Sequence, residues 1–138
     1  MKITNGPILI ADDDADDREF LQEAWFELNL NNKLVFFNNG EEVLHYLRSG
    51  NVPFLILCDV NIPRMDGFEL KEKILEDSAM NYQSIPFVYW SNEASKAQIQ
   101  KAYDLGGNGF FIKPSTFGEL KQSLMDIVRY WHNSETPK

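Results

Sequence analysis

"PILIADDDADDREFLQEAWFEL", residues 7 to 28, carries the pattern that decides how this chain folds. An apolar run from Pro7 to Ala11 stops at five aspartates within six positions, Asp12 to Asp17, after which Phe20, Leu21, Ala24, Trp25 and Leu28 recur at three- and four-residue spacing. The run is too short for a helix and reads as a strand. The spacing that follows gives one apolar face to a helix over about residues 16 to 29. Neighbouring carboxylates repel one another, so the acidic junction between strand and helix predicts something positive among them.

The same alternation continues along the chain. "KLVFF" (33 to 37), "PFLILCD" (53 to 59), "IPFVYW" (85 to 90) and "GFFI" (109 to 112) read as further strands, each short and continuously apolar, as strands covered on both faces are. Between them, Val43, Leu44 and Leu47 mark a second helix, Leu70 and Ile74 a third, and Ile99, Ala102 and Tyr103 a fourth. The last helix has the clearest stripe: Phe117, Leu120, Leu124, Ile127, Val128 and Trp131. Gly40, Gly67 and Gly106-Gly107 punctuate helix starts and stops. Five strands alternating with five helices predict an α/β, (βα)5 doubly wound, five-stranded parallel sheet of the flavodoxin-like kind. The expectation is a single domain over residues 1–138, with its core at about 7–132, no separate output domain, and a frayed "NSETPK" end.

Composition narrows the function. At 138 residues and 43% hydrophobic, the chain can build a core without disulfides or structural metal. A net charge of -8 disfavours phosphate contacts with nucleic acid and favours proteins and cations as partners. Cys58 is the one cysteine, which excludes an internal disulfide or multi-cysteine metal site and fits a reducing cytoplasm. No apolar run has the length of a membrane span, and the N-terminal segment lacks the apolar core of a secretion signal. A cytoplasmic protein is expected.

In open α/β sheets ligands bind at the carboxyl ends of the strands. The first strand delivers Asp12 and Asp13 there, the third Asp59, the fourth Ser91 and the fifth Lys113. Three carboxylates close together call for a hard divalent cation, with Mg2+ the natural candidate because it takes few protein ligands and leaves positions for phosphate oxygens. Lys113 adds a second positive charge and Ser91 a donor, a set suited to phosphoryl transfer. Asp59, at the end of the most apolar strand, is the carboxylate read as phosphoryl acceptor. Asp14, Asp16 and Asp17 fall at the start of the first helix and are read as capping and dipole residues.

These residues resemble a known family. "LILCDVNIPRMDGFEL" (55 to 70) is similar to the phosphoacceptor segment of response-regulator receiver domains, and "ILIADD", "FVYWS" and "GFFIKP" stand at the family's other positions, in order. The resemblance covers roughly residues 7 to 132 and implies that Asp59 accepts phosphate from the phosphohistidine of a sensor histidine kinase. It also implies that Asp12, Asp13, Asp59 and the backbone carbonyl of Asn61 ligate Mg2+, that Lys113 pairs with Asp59 and then with the phosphoryl group, and that Ser91 moves to hydrogen-bond it. Phe110 occupies the aromatic switch position, where many relatives have tyrosine. The Lys113-Pro114 peptide is often cis in the family. Trp90 and Asn92 depart from the family's smaller residues, which would slow phosphorylation or hydrolysis.

The segment 89 to 114 and the long final helix resemble stand-alone regulators partnered with phytochrome-type kinases. Such a regulator is a phosphoacceptor signalling protein that acts on a downstream protein target or phosphotransfer protein, and not a conventional enzyme. Met125 and Tyr130 lie off the main stripe of the last helix and, with Trp131, offer a homodimer surface.

Other readings fit less well. An aspartyl-phosphate hydrolase of the haloacid dehalogenase type needs a second aspartate where Asn61 stands, and a flavin module needs a first loop that is not five-fold acidic. A degenerate receiver that binds proteins without phosphorylation has only Asn92 in its favour. His45 and His132 read as ordinary surface or helix-end residues, Cys58 as core packing, and Asp66 as a turn residue with Gly67.

Overall fold

The computed structural model describes residues 6–77 and 84–136. Parts of the single-domain span expected from the sequence, residues 1–5, 78–83 and 137–138, lie outside the described residues. The chain alternates β1 (Ile8–Ala11), α1 (Ala15–Leu28), β2 (Leu34–Phe37), α2 (Gly40–Arg48), β3 (Leu55–Cys58), α3 (Gly67–Glu76), β4 (Phe87–Ser91), α4 (Lys96–Asp104), β5 (Phe110–Ile112) and α5 (Phe117–Asn133). All strand pairs are parallel, in the order β2-β1-β3-β4-β5. The predicted (βα)5 doubly wound sheet is the observed one.

The strands alternate side chains between two apolar layers. Leu9, Ala11, Ile56, Cys58, Phe87 and Tyr89 pack with residues of α2, α3 and α4 on one face. Ile8, Ile10, Leu55, Leu57, Val88 and Trp90 pack with α1 and α5 on the other. Both faces of β1, β3 and β4 are therefore dry, which is why these strands read as unbroken apolar runs rather than alternating ones. Cys58 is part of this packing, and burial together with nearby Asp59 pushes its thiol well above the ordinary range, so it stays protonated.

Two expectations need correction. The outer strands β2 and β5 are only partly buried, because an edge strand has a neighbour on one side alone. In α4 only Ala102 of the predicted stripe is buried; Ile99 and Tyr103 are 37% and 54% exposed. The contact surface of α4 is narrow, and the larger side chains beside it face outward.

Every helix begins at an Asp, Asn, Ser or Thr whose side chain accepts the N-H three residues on: Asp14, Asn39, Asp66, Ser95 and Thr116. In a βα unit that end of the helix lies beside the carboxyl end of the preceding strand. The sheet edge that carries the site thus also collects the positive ends of the helix dipoles.

Tyr89 lies at the centre of the α3-α4 layer, fully buried against Phe68, Phe87 and Phe110. A Cβ on Gly107 would come within 2.7 Å of its ring, so only glycine lets the chain pass there. Its hydroxyl is the buried side-chain polar atom without a hydrogen-bond partner among the described residues. Leaving such a group unpaired costs about 1–3 kcal/mol. Tyr89→Phe keeps the ring and removes that cost, and urea unfolding should show it more stable than wild type by about 1 kcal/mol; an equal or lower midpoint would mean that the hydroxyl is satisfied.

Candidate functional site

β1 and β3 are neighbours whose connections leave to opposite sides of the sheet, and the crevice at their carboxyl ends is the topological switch point of this fold. Asp12 follows β1 directly and Asp59 follows β3, and the two are held in register by the Asp59 N-H donating to the Ala11 carbonyl at 2.9 Å. Both are nearly covered, at 2% and 7% exposure.

Between them lies the Lys113 ammonium, delivered by the end of β5. Its Nζ is 2.8 Å from Asp12 Oδ2 and 2.7 Å from Asp59 Oδ2. A third carboxylate, Asp17 Oδ2 in the first turn of α1, is also 2.8 Å away. The remaining oxygens are engaged by backbone: Asp12 Oδ1 accepts from the Asp14 N-H and Asp59 Oδ1 from the Asn61 N-H, each at 3.0 Å.

Burial pushes the Asp12 carboxyl above its ordinary value, with the Lys113 and Asp14 hydrogen bonds pulling part of the way back. For Lys113 burial works against the charge, but hydrogen bonds to Asp12, Asp17 and Asp59 outweigh it. Its pKa therefore lies above that of an ordinary lysine.

The other expected residues gather around the same point. A cavity of about 270 Å3 is lined by Asp13, Asp14, Asp17, Asp59, Asn61, Ser91, Asn92 and Glu93. Asp13 is exposed at its mouth. Ser91 is the last residue of β4 rather than the first beyond it, and its hydroxyl donates to the Glu93 carbonyl at 3.0 Å, not to Asp59. Phe110 is half-buried and stacks on Tyr89, with centroids 5.8 Å apart. Trp90 turns into the α1-α5 layer against Phe111, away from the cavity, so of the two departures only Asn92 lies where it can limit access.

Among the described residues no three His, Cys, Asp or Glu side chains are arranged to hold a metal ion. The reason is visible in the bridge: the point that Asp12 and Asp59 share is taken by an ammonium. The donor set still fits a hard cation. Asp12, Asp13 and Asp59 supply three carboxylates beside the Lys113 ammonium, and oxygen donors at the edge of a small polar cavity are what Mg2+ requires.

The loop after Asp59 carries a tight turn tied to α2. The Met65 N-H donates to the Pro63 carbonyl at 2.7 Å across Arg64, whose φ is 68°. This is a γ-turn of the uncommon positive-φ kind. It is braced from α2, where the Gly40 N-H donates to the Met65 carbonyl at 3.2 Å and Glu41 pairs with Arg64 at 3.0 Å. A Cβ on Gly67 would stand 2.7 Å from the Asp59 carbonyl oxygen, so glycine there lets α3 start hard against the acceptor segment. Asp66, read from the sequence as a turn residue with Gly67, is the N-cap of α3, in a capping box with Glu69, and Gly67 is the first residue of the helix. Lys113-Pro114 is trans, where the family pattern allows cis; the two forms of an X-Pro bond differ by only about 0.5–1 kcal/mol.

One reading of the acidic stretch is corrected. Asp14 caps α1 by accepting the Asp17 N-H, and Asp16 lies in the first turn, but the Asp17 side chain reaches across to Lys113. A lysine 96 positions away leaves no local signal of this in the sequence. Of the histidines, His45 is exposed on α2, while His132 is half-buried, edge-on to Phe54 and 3.1 Å from Asn32 Oδ1.

With this geometry in view, comparison with known proteins is specific. The profile of the response regulator receiver domain matches residues 8–125. Chemotaxis protein CheY-3 of Vibrio cholerae is 32% identical over 123 residues, 89% of this chain and 92% of that protein. The crystal structure of the phosphorylated cyanobacterial phytochrome response regulator RcpA superposes with a TM-score of 0.85 at 28% identity, covering 97% of this chain and 99% of that one. The Mn2+-bound form of response regulator Rcp1 shares the fold, with a TM-score of 0.81 at 22% identity over 96% and 99% of the two chains. No helix among the described residues is long and apolar enough to cross a membrane. The chain belongs to the response regulator receiver domain family, the signalling domains of two-component systems.

Proposed function

We propose that this receiver domain is switched by phosphorylation of Asp59 in a Mg2+-dependent reaction with a sensor histidine kinase, and that it signals by protein contact. The observation that carries the proposal is the placement of Asp59: a buried carboxylate with Oδ1 on the Asn61 N-H and Oδ2 on Lys113, facing an acidic cavity.

In the reaction a carboxylate oxygen of Asp59 forms the new bond to phosphorus as the bond from phosphorus to the kinase imidazole nitrogen breaks. Asp12, Asp13, Asp59 and the Asn61 carbonyl would hold Mg2+, which when bound neutralises charge on the carboxylates and on the incoming phosphoryl oxygens. Lys113 gives up its hydrogen bond to Asp59 and donates to a phosphoryl oxygen instead. Ser91 exchanges the Glu93 carbonyl for the same group, and Phe110, two positions along β5 from Ile112, the residue that pairs with Ser91, responds. RcpA in phosphorylated form and Rcp1 with Mn2+ support both halves of this reading for relatives of the same fold.

Output would pass through the face formed by α4, β5 and α5. Ile99, Tyr103, Ile112 and Tyr130 are exposed there, and Tyr130 packs edge-on against Trp131. A downstream protein, a phosphotransfer protein or a second copy of the chain would cover this surface. With its charge of -8 and no use for nucleic acid or membrane in the site, the domain acts in the cytoplasm on proteins.

Intact-mass analysis after incubation with acetyl phosphate and Mg2+ tests the chemistry. Wild type should gain one phosphoryl mass, Asp59→Asn none, and EDTA should abolish the gain; an unmodified wild type, beside a receiver that is modified, would leave only an unphosphorylated binding module.

The lysine bridge also sets a pH signature. Because the folded pKa of Lys113 is raised above 10.5, its stabilisation is complete below that value and is lost as pH rises through the folded pKa. The Tyr89 phenol and the Cys58 thiol are raised as well and add losses of the same sign, so Lys113 is isolated by comparing the chain with and without Lys113→Met, both in the Tyr89→Phe background. There, unfolding midpoints should fall on going from pH 8 to pH 11.5, and Lys113→Met should start lower, by roughly 3–5 kcal/mol for an orphaned buried charge, and fall less.

A further inference from the structure

The aspartate at position 17 does more than begin a helix. An acid in the first turn is favoured by the dipole and needs no further reason, but that preference does not aim its side chain. Here the Asp17 backbone is fixed by the Asp14 cap, and its carboxylate is turned onto Lys113 Nζ at 2.8 Å.

An ammonium has three N-H donors. Asp12, Asp17 and Asp59 take all three, at 2.8, 2.8 and 2.7 Å, from the end of β1, the first turn of α1 and the end of β3. The three acceptors differ in what else they must do. Under the proposed function, Asp59 loses its free carboxylate when the phosphoryl group arrives, and Asp12 also faces a cation. Asp17 is the one acceptor with no second duty, and at 32% side-chain exposure, against 3% and 9%, it covers the solvent side of the ammonium.

We infer that Asp17 is a positioning residue for phosphoryl transfer: it anchors Lys113 while the lysine's third hydrogen bond passes from Asp59 to the phosphoryl oxygen. The inference rests on the proposed role of Asp59. One anchor leaves the ammonium free to swing about it, whereas two anchors fix the direction of the remaining N-H. The anchor must be anionic, because a carboxylate adds the Coulomb attraction of opposite charges to the hydrogen bond and so holds the largely buried ammonium more strongly than a neutral acceptor does. Asparagine at this position keeps the shape and loses that strength.

Two measurements on the full chain test this. The 15Nζ ammonium signal of Lys113, assigned by its loss in Lys113→Met, should be sharp in the cation-free wild type, broadened and shifted in Asp17→Asn, and largely restored in Asp17→Glu. The rate of Asp59 phosphorylation at saturating Mg2+ and acetyl phosphate should fall about fivefold in Asp17→Asn and recover in Asp17→Glu. A helix-capping role alone would leave the Lys113 signal where it is. The inference is overturned by an unchanged Lys113 signal, by a changed signal with an unchanged rate, or by a slowed rate with an unchanged signal. Failure of the wild type itself to become phosphorylated would overturn the role in transfer together with the proposed function, while the ammonium signal would still decide whether Asp17 holds Lys113.

Discussion

Two carboxylates almost out of contact with water, Asp12 and Asp59, repel one another unless something positive stands between them, and in this structure that something is the Lys113 ammonium. The constraint reaches well beyond the site. Lys113 follows the last strand, Asp12 the first and Asp59 the third, and Asp17 lies in the first helix, so the bridge closes only when β1, β3, β4 and β5 stand side by side in that order. A lysine aimed at one carboxylate could be replaced by local structure; a lysine shared by three elements cannot.

The fold serves this arrangement through its dry layers and its caps. Residues that alternate along β1, β3 and β4 fill two separate apolar layers, which fixes the strands on both sides and leaves only their carboxyl ends to chemistry. The helix starts converge on the same edge, and the γ-turn at Arg64, braced by Gly40 and Glu41, holds the segment that follows Asp59. Ordering such a loop in advance reduces what must be ordered when a phosphoryl group arrives. The Ser91 hydroxyl donates one hydrogen bond, to the Glu93 carbonyl, and the half-buried Phe110 ring stacks on Tyr89 at the margin of the α2-α3-α4 layer.

Much of this was legible from residues alone. Apolar runs ending in Asp12, Asp59, Ser91 and Lys113 named the strands and their order along the chain, and parallel topology then placed their ends on one edge. The proline and Met-Asp-Gly turn after Asp59 added an ordered motif. The α4 stripe was misread because Ile99 and Tyr103 have helical spacing whether they face a core or a partner; periodicity records the face, not what covers it. Trp90 stands where the family has a smaller residue, but successive strand residues point to opposite faces, and its ring lies in the α1-α5 layer.

By itself the sequence determined which residue types reach the sheet edge and that the fold is a doubly wound one, because those features depend on local order: run length, spacing, caps and turns. Only the tertiary structure decided which charges meet. That Asp17 joins Lys113 while Asp14 caps a helix, or that the space between Asp12 and Asp59 holds an ammonium, follows from distances between residues about a hundred positions apart. Electrostatic pairing is set by those distances and by burial, and neither is written in the local pattern of a chain.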